Sequence, residues 1–153
     1  IGGSQIKRWA AGGDLNQMLA ETTQKVIKKY RVTEVFWHQG EADFRQGTSA
    51  DEYASMLNSV VTTLRDNNVD APFYVSVASK CWLSELYSWQ KKNPVADAQK
   101  LLPDKAKMIF SGVDTDALLN RLDRYDDCHF SGSGQGKFSD AWISVLKDSQ
   151  VDF

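Results

Sequence analysis

The chain has 153 residues, 42% hydrophobic and 25% charged, which suits one domain able to bury roughly 70% of its unfolded surface. Its 18 basic and 20 acidic residues are interspersed and sum to a net charge of -2, so no basic stripe is available to neutralise phosphates, and nucleic acid is excluded as a partner. No apolar run approaches the ~20 residues of a membrane-spanning helix, so no membrane partner is expected.

The chain opens Ile1-Gly2-Gly3-Ser4, without an initiator methionine or the charged-then-apolar pattern of a signal peptide, which leaves its compartment open. From about Asp14 to Tyr30, Leu15, Met18, Leu19, Thr22, Val26 and Tyr30 recur on one helical face, with Asp14 as N-cap. A short strand from Thr33 to Gln39 follows, its buried run Val35-Phe36-Trp37. Ser49-x-x-Glu52 is a capping box that opens an amphipathic helix through Tyr53, Met56, Leu57, Val60, Val61 and Leu64, ended by Asn67-Asn68. Phe73 to Ala78 is β-rich and apolar on both faces, as a central parallel strand should be. The run from Leu83 to Leu102 resists assignment, except for a helix around Val95 to Leu101. Met108-Ile109-Phe110 reads as a third strand ended by Ser111-Gly112, and a last helix spans Gly134 to Lys147 with Phe138, Ala141, Trp142, Val145 and Leu146 inward. No repeat or linker divides the chain, so residues 1–153 form a single α/β domain with a parallel sheet.

In such sheets ligands sit at the carboxyl ends of the strands, which directs attention to Trp37–Asp43, Ser79–Leu83 and Ser111–Phe130. In Asp126-Asp127-Cys128-His129 a carboxylate three residues before a histidine can fold back to accept from its Nδ1–H, as a general base requires. The same residues also read as a solvated acidic loop. Gln39, at a strand end before Gly40, can present an amide N–H to an oxyanion; His38 reads as a packing residue and Glu41 as a structural acceptor. Gly2-Gly3 offers backbone N–H groups to a ligand, or is only a turn. Asp123, Asp126, Asp127 and His129 can be imagined around a hard divalent cation, but the spacing matches neither an EF-hand nor a zinc motif, so no metal or cofactor is called for. Cys81 and Cys128 form no Cys-x-x-Cys pair; they should lie at one end of the sheet, and free thiols are expected because a single pair without a secretion signal argues weakly for a bridge.

Taken in order, these segments resemble the sialate O-acetylesterase and plant-type acetyl xylan esterase branch (carbohydrate esterase family 6-like) of the SGNH hydrolases. The matching residues are Gly2-Gly3-Ser4-Gln5-Ile6-Lys7-Arg8-Trp9, then Phe36-Trp37-His38-Gln39-Gly40-Glu41-Ala42-Asp43, then the helix from Tyr53 to Arg65, then Asp126, His129, Phe130, Ser131 and Gly134. The resemblance implies a three-layer αβα, flavodoxin-like fold with sheet order 2-1-3-4-5. It also implies a serine esterase of short acyl, chiefly O-acetyl, esters on carbohydrates or small molecules. His129 would be the general base, Asp126 its orienting carboxylate, Gln39 and the Gly3 N–H the oxyanion donors, and Glu41 a supporting residue. The family's nucleophile lies in a Gly-x-Ser motif upstream of the Gly-Gly segment, so the domain is expected to be N-terminally truncated, lacking its first strands and its serine. That leaves Val35-Phe36-Trp37 as an apolar sheet edge through which the chain can self-associate. The competing readings are a non-catalytic relic or carbohydrate-binding module of the same fold, and an unrelated flavodoxin-like cofactor binder; no glycine-rich phosphate loop supports the latter.

Overall fold

The structure, a computed structural model, describes residues 1–81 and 92–148. The last two residues of the Ser79–Leu83 segment, and the first part of the unassigned run from Leu83, lie outside the described residues. Among those described, the elements run α1 (Asn16–Ile27), β1 (Val35–Trp37), α2 (Glu41–Gln46), α3 (Ala50–Asp66), β2 (Phe73–Val77), α4 (Pro94–Leu101), β3 (Ile109–Asp114), α5 (Thr115–Leu118) and α6 (Gly132–Asp148). Short 3-10 turns at Ile6–Arg8, Lys105–Lys107 and Arg121–Asp123 complete the order. None of the helices among the described residues is long and apolar enough to cross a membrane.

The three strands are parallel in the order β1-β2-β3, Val35 opposite Phe73 and Phe73 opposite Ile109. Alternation along the strands sends residues to two faces. Phe73, Val75 and Ile109 face α3 and α4, where they join Tyr53, Leu57, Val60 and Val95 in the main core. On the other face Phe36 and Tyr74 stack (5.8 Å), and Trp142 of α6 meets Phe36 at 4.5 Å and Tyr74 at 6.0 Å. Helices thus cover both faces of a parallel sheet, the expected three-layer αβα arrangement.

Several boundaries differ from the sequence reading. Asp14 does not cap α1; it forms an ion pair with Arg8 at 2.6 Å, and Leu15 occupies the cap position without a side-chain bond. The helix stops at Ile27, short of Tyr30, and β1 is confined to Val35–Trp37. Residues after Gly40 form a helix, α2, that the sequence reading did not assign, and Gly47 ends it at φ 75°. The third strand does not end at Ser111-Gly112 but runs to Asp114. The reason is packing: a Cβ at Gly112 would lie 2.8 Å from the Trp142 ring, so this glycine seats α6 on the strand rather than breaking it. The capping box at Ser49 and Glu52 forms as read, and α3 ends at Asn67.

The expectation of free thiols is overturned. Cys81, just past β2, and Cys128, in the loop before α6, are joined in a disulfide, with Cα atoms 4.3 Å apart. The two post-strand segments share one end of the sheet, as expected, and the fold brings the two Cα atoms within bridging reach, which decides the matter where composition does not. Titration of the denatured, unreduced protein is expected to find no free sulfhydryl.

Among the described residues strand β1 is hydrogen-bonded to another strand on one side only, and Phe36 on it is 50% exposed. Met18 and Val26 on α1, and Tyr30 just past it, also face solvent. We propose that a second copy pairs along this edge, since an uncovered strand is a template for another chain. Light scattering at micromolar concentration should show dimers or larger species, reduced by Phe36→Lys. A monodisperse monomer with a cooperative melt would exclude that pairing.

Candidate active site

The carboxyl end of β1 is organised by a buried acid. Asp43 on α2 is 1% exposed, and its carboxylate accepts from Ile6 N–H (2.8 Å), Gln39 Nε2 (2.5 Å) and Thr48 Oγ1 (3.0 Å). These bonds clamp the segment after Gly2-Gly3-Ser4 onto the end of the strand. Gln39 also donates to Ser4 O at 3.0 Å, while its Oε1 faces the Tyr53 hydroxyl at 3.2 Å. The amide therefore has one sensible orientation: turned over, its oxygen would confront the Asp43 carboxylate. Both Gln39 N–H groups are thus engaged within the protein.

Behind Gln39 lies a buried polar chain that the sequence reading missed. Gln99 of α4 donates to Gln39 O (2.7 Å) and Tyr53 Oη (2.9 Å), and its Oε1 accepts from Ala78 N–H (3.0 Å). Tyr53 Oη donates to Gln39 O at 2.8 Å, and burial pushes its pKa well above the usual phenol range. Gly40 is required by crowding, because a Cβ there would fall 2.2 Å from Ala78 O and 2.7 Å from Gln99 Nε2. Glu41, read as the structural acceptor, takes the lesser part: Oε2 accepts from Gly40 N–H at 3.1 Å and Oε1 lies 3.8 Å from His38 Nε2.

Gly3 sits at φ 68° with open space where a side chain would be, and no described residue accepts from its N–H. Ser4 is different. Its hydroxyl is buried, donating to Ile1 O at 2.9 Å and accepting from Trp9 Nε1 at 2.7 Å.

The Asp126–His129 pair forms as the spacing suggests. His129 Nδ1 lies 2.6 Å from Asp126 Oδ2, while Oδ1 accepts from the backbone N–H of His129 (2.7 Å) and Cys128 (3.1 Å). The turn that brings them together needs Asp127 at φ 65°. Backbone bonds from Tyr125 N–H to His129 O (3.0 Å) and from Ser131 N–H to Asp123 O (2.8 Å) close the loop at its base. Tyr125 stacks on the His129 ring at 5.8 Å. The imidazole is 69% exposed, its Nε2 open to a reactant. The His129 backbone N–H first, then its side chain, hold the Asp126 carboxyl down at about 2.

Packing of His38 brings the two motif segments together. Its ring meets Phe130 at 5.5 Å and Phe138 at 5.3 Å, so the residue before Gln39 touches the residue after His129. Burial lowers the His38 pKa against the opposing pull of Glu41, as suits a neutral packing histidine. Arg124, buried beside this junction, lies 5.2 Å over the Phe130 ring and donates to Cys128 O. Its charge faces Asp116, Glu41, Asp123 and Asp126.

The four residues considered for a cation do not converge. Asp123 is taken by Lys137 at 2.8 Å and Asp127 by Arg121 at 2.9 Å, which leaves Asp126 to His129. Among the described residues no group of three or more His, Cys, Asp or Glu side chains is placed to hold a metal ion. An open cavity of about 520 Å³ lies at the opposite end of the sheet, beside Arg65, Lys107 and Met108. Met108 O there bonds the first residue of β2, so the cavity has no part in this site.

A family profile described as carbohydrate esterase, sialic acid-specific acetylesterase matches residues 1–145. Comparison with curated proteins finds no match.

Asp43→Leu strands three donors, each worth about 1–3 kcal/mol when left unsatisfied, and should lower unfolding stability in urea by about 3–5 kcal/mol. Glu41→Gln should cost under about 1 kcal/mol. For Asp126, a folded pKa of about 2 lies below the ordinary value near 3.9. Its stabilising contribution is therefore complete above about pH 4 and lost as pH falls toward 2. In His129→Ala the backbone donors remain, so the Asp126 midpoint followed by ¹³C carboxyl NMR should return only part of the way to its ordinary value.

Proposed function

Because the chain belongs to the carbohydrate esterase family described as sialic acid-specific acetylesterases, we propose that it carries the Asp-His half of a serine esterase acting on short acyl esters, O-acetyl groups on sugars above all. The observation that carries this reading is the 2.6 Å contact of His129 Nδ1 with Asp126 Oδ2, on a loop that leaves Nε2 open. An imidazole so held keeps the tautomer that accepts a proton at Nε2, and the carboxylate stabilises the cation that results.

The serine is proposed to lie outside these residues. Ser4 supports that placement, since its hydroxyl is already committed to Ile1 and Trp9, and no described serine hydroxyl bonds to His129. In the first step the serine oxygen attacks the ester carbonyl while Nε2 takes its proton. The tetrahedral intermediate places its negative oxygen toward the Gly3 N–H. Gln39 is the second donor, sharing the N–H that otherwise reaches Ser4 O at 3.0 Å; the shorter bond to Asp43 holds the amide in place. His129 returns the proton to the departing alcohol, an acyl-enzyme remains, and water, deprotonated by the same Nε2, releases the acid. No cofactor is needed for these steps.

The test is hydrolysis of p-nitrophenyl acetate and of O-acetylated sugars. A polypeptide extended upstream through a Gly-x-Ser segment is expected to be active, and the 153-residue chain to show only a histidine background. In the extended protein His129→Ala should remove most turnover, because base and nucleophile act as one unit. Asp126→Asn should be severe through the wrong tautomer, and Gln39→Ala should cost roughly 10²–10³-fold in kcat. Activity of the short chain that vanishes in Ser4→Ala would instead make Ser4 the nucleophile. An extended protein that binds acetylated sugars without turnover would be a binding relic of the fold.

A further inference from the structure

We infer that the Cys81–Cys128 disulfide is a positioning element for His129: it holds the tip of the Asp126–His129 loop on the end of β2, and opening it separates the imidazole from Asp126 while the core stays folded. The inference rests on the reading of His129 as the general base.

The anchor side of the bridge is stiff. Asp116 of α5 is buried and takes Ser79 N–H at 3.0 and 3.1 Å, Ser79 Oγ at 2.5 Å and Lys80 N–H at 3.0 Å. Asn93 adds a bond to Ser79 Oγ at 2.7 Å, and Lys80 Nζ reaches Asp116 O at 3.2 Å. Both residues preceding Cys81 are therefore fixed from the end of β3, and the sulfur leaves a rigid corner.

The loop side is not stiff by itself. Among the described residues, the other ties to residues 126–129 come from Arg121, Arg124 and Tyr125. All three belong to the same connection between β3 and α6. Arg121 and Tyr125 close the loop on itself, whereas Arg124, buried over the Phe130 ring that packs on His38, adds one non-covalent tie from Cys128 O toward the end of β1. The tip also carries Asp127 at φ 65°, a left-handed conformation that Asp tolerates better than most L residues but that still costs energy outside glycine. Cys128 follows Asp127 and precedes His129. A covalent bond from that residue to the corner at Lys80 is the constraint best placed to keep the turn, and with it the 2.6 Å contact.

The experiment is NMR on the ¹⁵N-labelled 153-residue chain with the imidazole protonated, at a pH above the Asp126 midpoint. The His129 Nδ1–H bound to Asp126 should give a downfield proton signal, assigned by its loss in His129→Gln. A phosphine opens the bridge by transferring two electrons: the S–S bond breaks, each sulfur takes a proton, and the phosphine leaves as its oxide with oxygen from water. The downfield signal is expected to disappear on reduction and in the Cys81→Ser, Cys128→Ser variant, and to return on reoxidation. The indole N–H signals of Trp9 and Trp37, bonded to Ser4 and Tyr53, should stay in place. A downfield signal that survives bridge opening overturns this inference and leaves the catalytic reading intact. Collapse of the indole signals overturns it as well, because the bridge would then be a staple for the whole fold. Absence of the signal in the oxidised chain removes both the inference and the Asp126–His129 reading beneath it.

Discussion

A carboxylate sealed from water must find all its donors within the protein, and the strand-end geometry here depends on how Asp43 does so. Its three partners come from three places: the backbone at Ile6, the side chain at the end of β1, and Thr48 past the end of α2. Satisfying one buried charge thereby fixes the position of the Gly2-Gly3-Ser4 segment, the rotamer of Gln39 and the direction in which the chain leaves β1. Without it the Gly3 N–H and the Gln39 amide would have no shared frame. The Tyr53–Gln99 chain behind them does the same for neutral groups, carrying the constraint across to Ala78 just past β2.

The other half of the site obeys a different rule. Asp126 is partly exposed and His129 largely so, and they find each other through a tight local turn rather than through burial. Such a turn sets internal geometry well and placement poorly. Placement comes from contacts made by its neighbours: Phe130 against His38, Arg124 across the Phe130 ring, and Cys128 bonded to Cys81. One half is thus positioned by desolvated hydrogen bonds and the other by packing and a covalent tie. Mutations in the first half should act on stability and geometry together, whereas those in the second can separate them.

The sequence was most readable where a physical effect is local and repeats. Periodicity located α3 and its inward residues Tyr53, Met56, Leu57, Val60, Val61 and Leu64, all of them buried except Met56, which is partly covered. The same reasoning found the apolar face of α6, although Phe138 and Trp142 there are only partly covered. It failed where a residue has two local options that only distant partners distinguish. Asp14 looks like a cap but has Arg8 within reach. Gly112 looks like a strand terminator but makes room for Trp142, thirty residues further along. Glu41 and Asp43 are indistinguishable as sequence, one position apart on each side of Ala42. The first turn of α2 sends Asp43 inward and leaves Glu41 near the surface beside His38.

By itself the sequence determined the α/β alternation, the capping box at Ser49, the buried character of β2 and the local pairing of Asp126 with His129. Each follows from interactions within a few residues. The tertiary structure alone decided that Cys81 and Cys128 are bonded, that Gln99 and Asp43 tie the strand ends together, and that Asp116 fixes the corner before Cys81. These partners are 47, 60, 37 and 37 residues apart. Nothing in their local sequence marks them, because what makes each pair meet is the parallel packing of the strands, which gathers every post-strand segment at one end of the sheet.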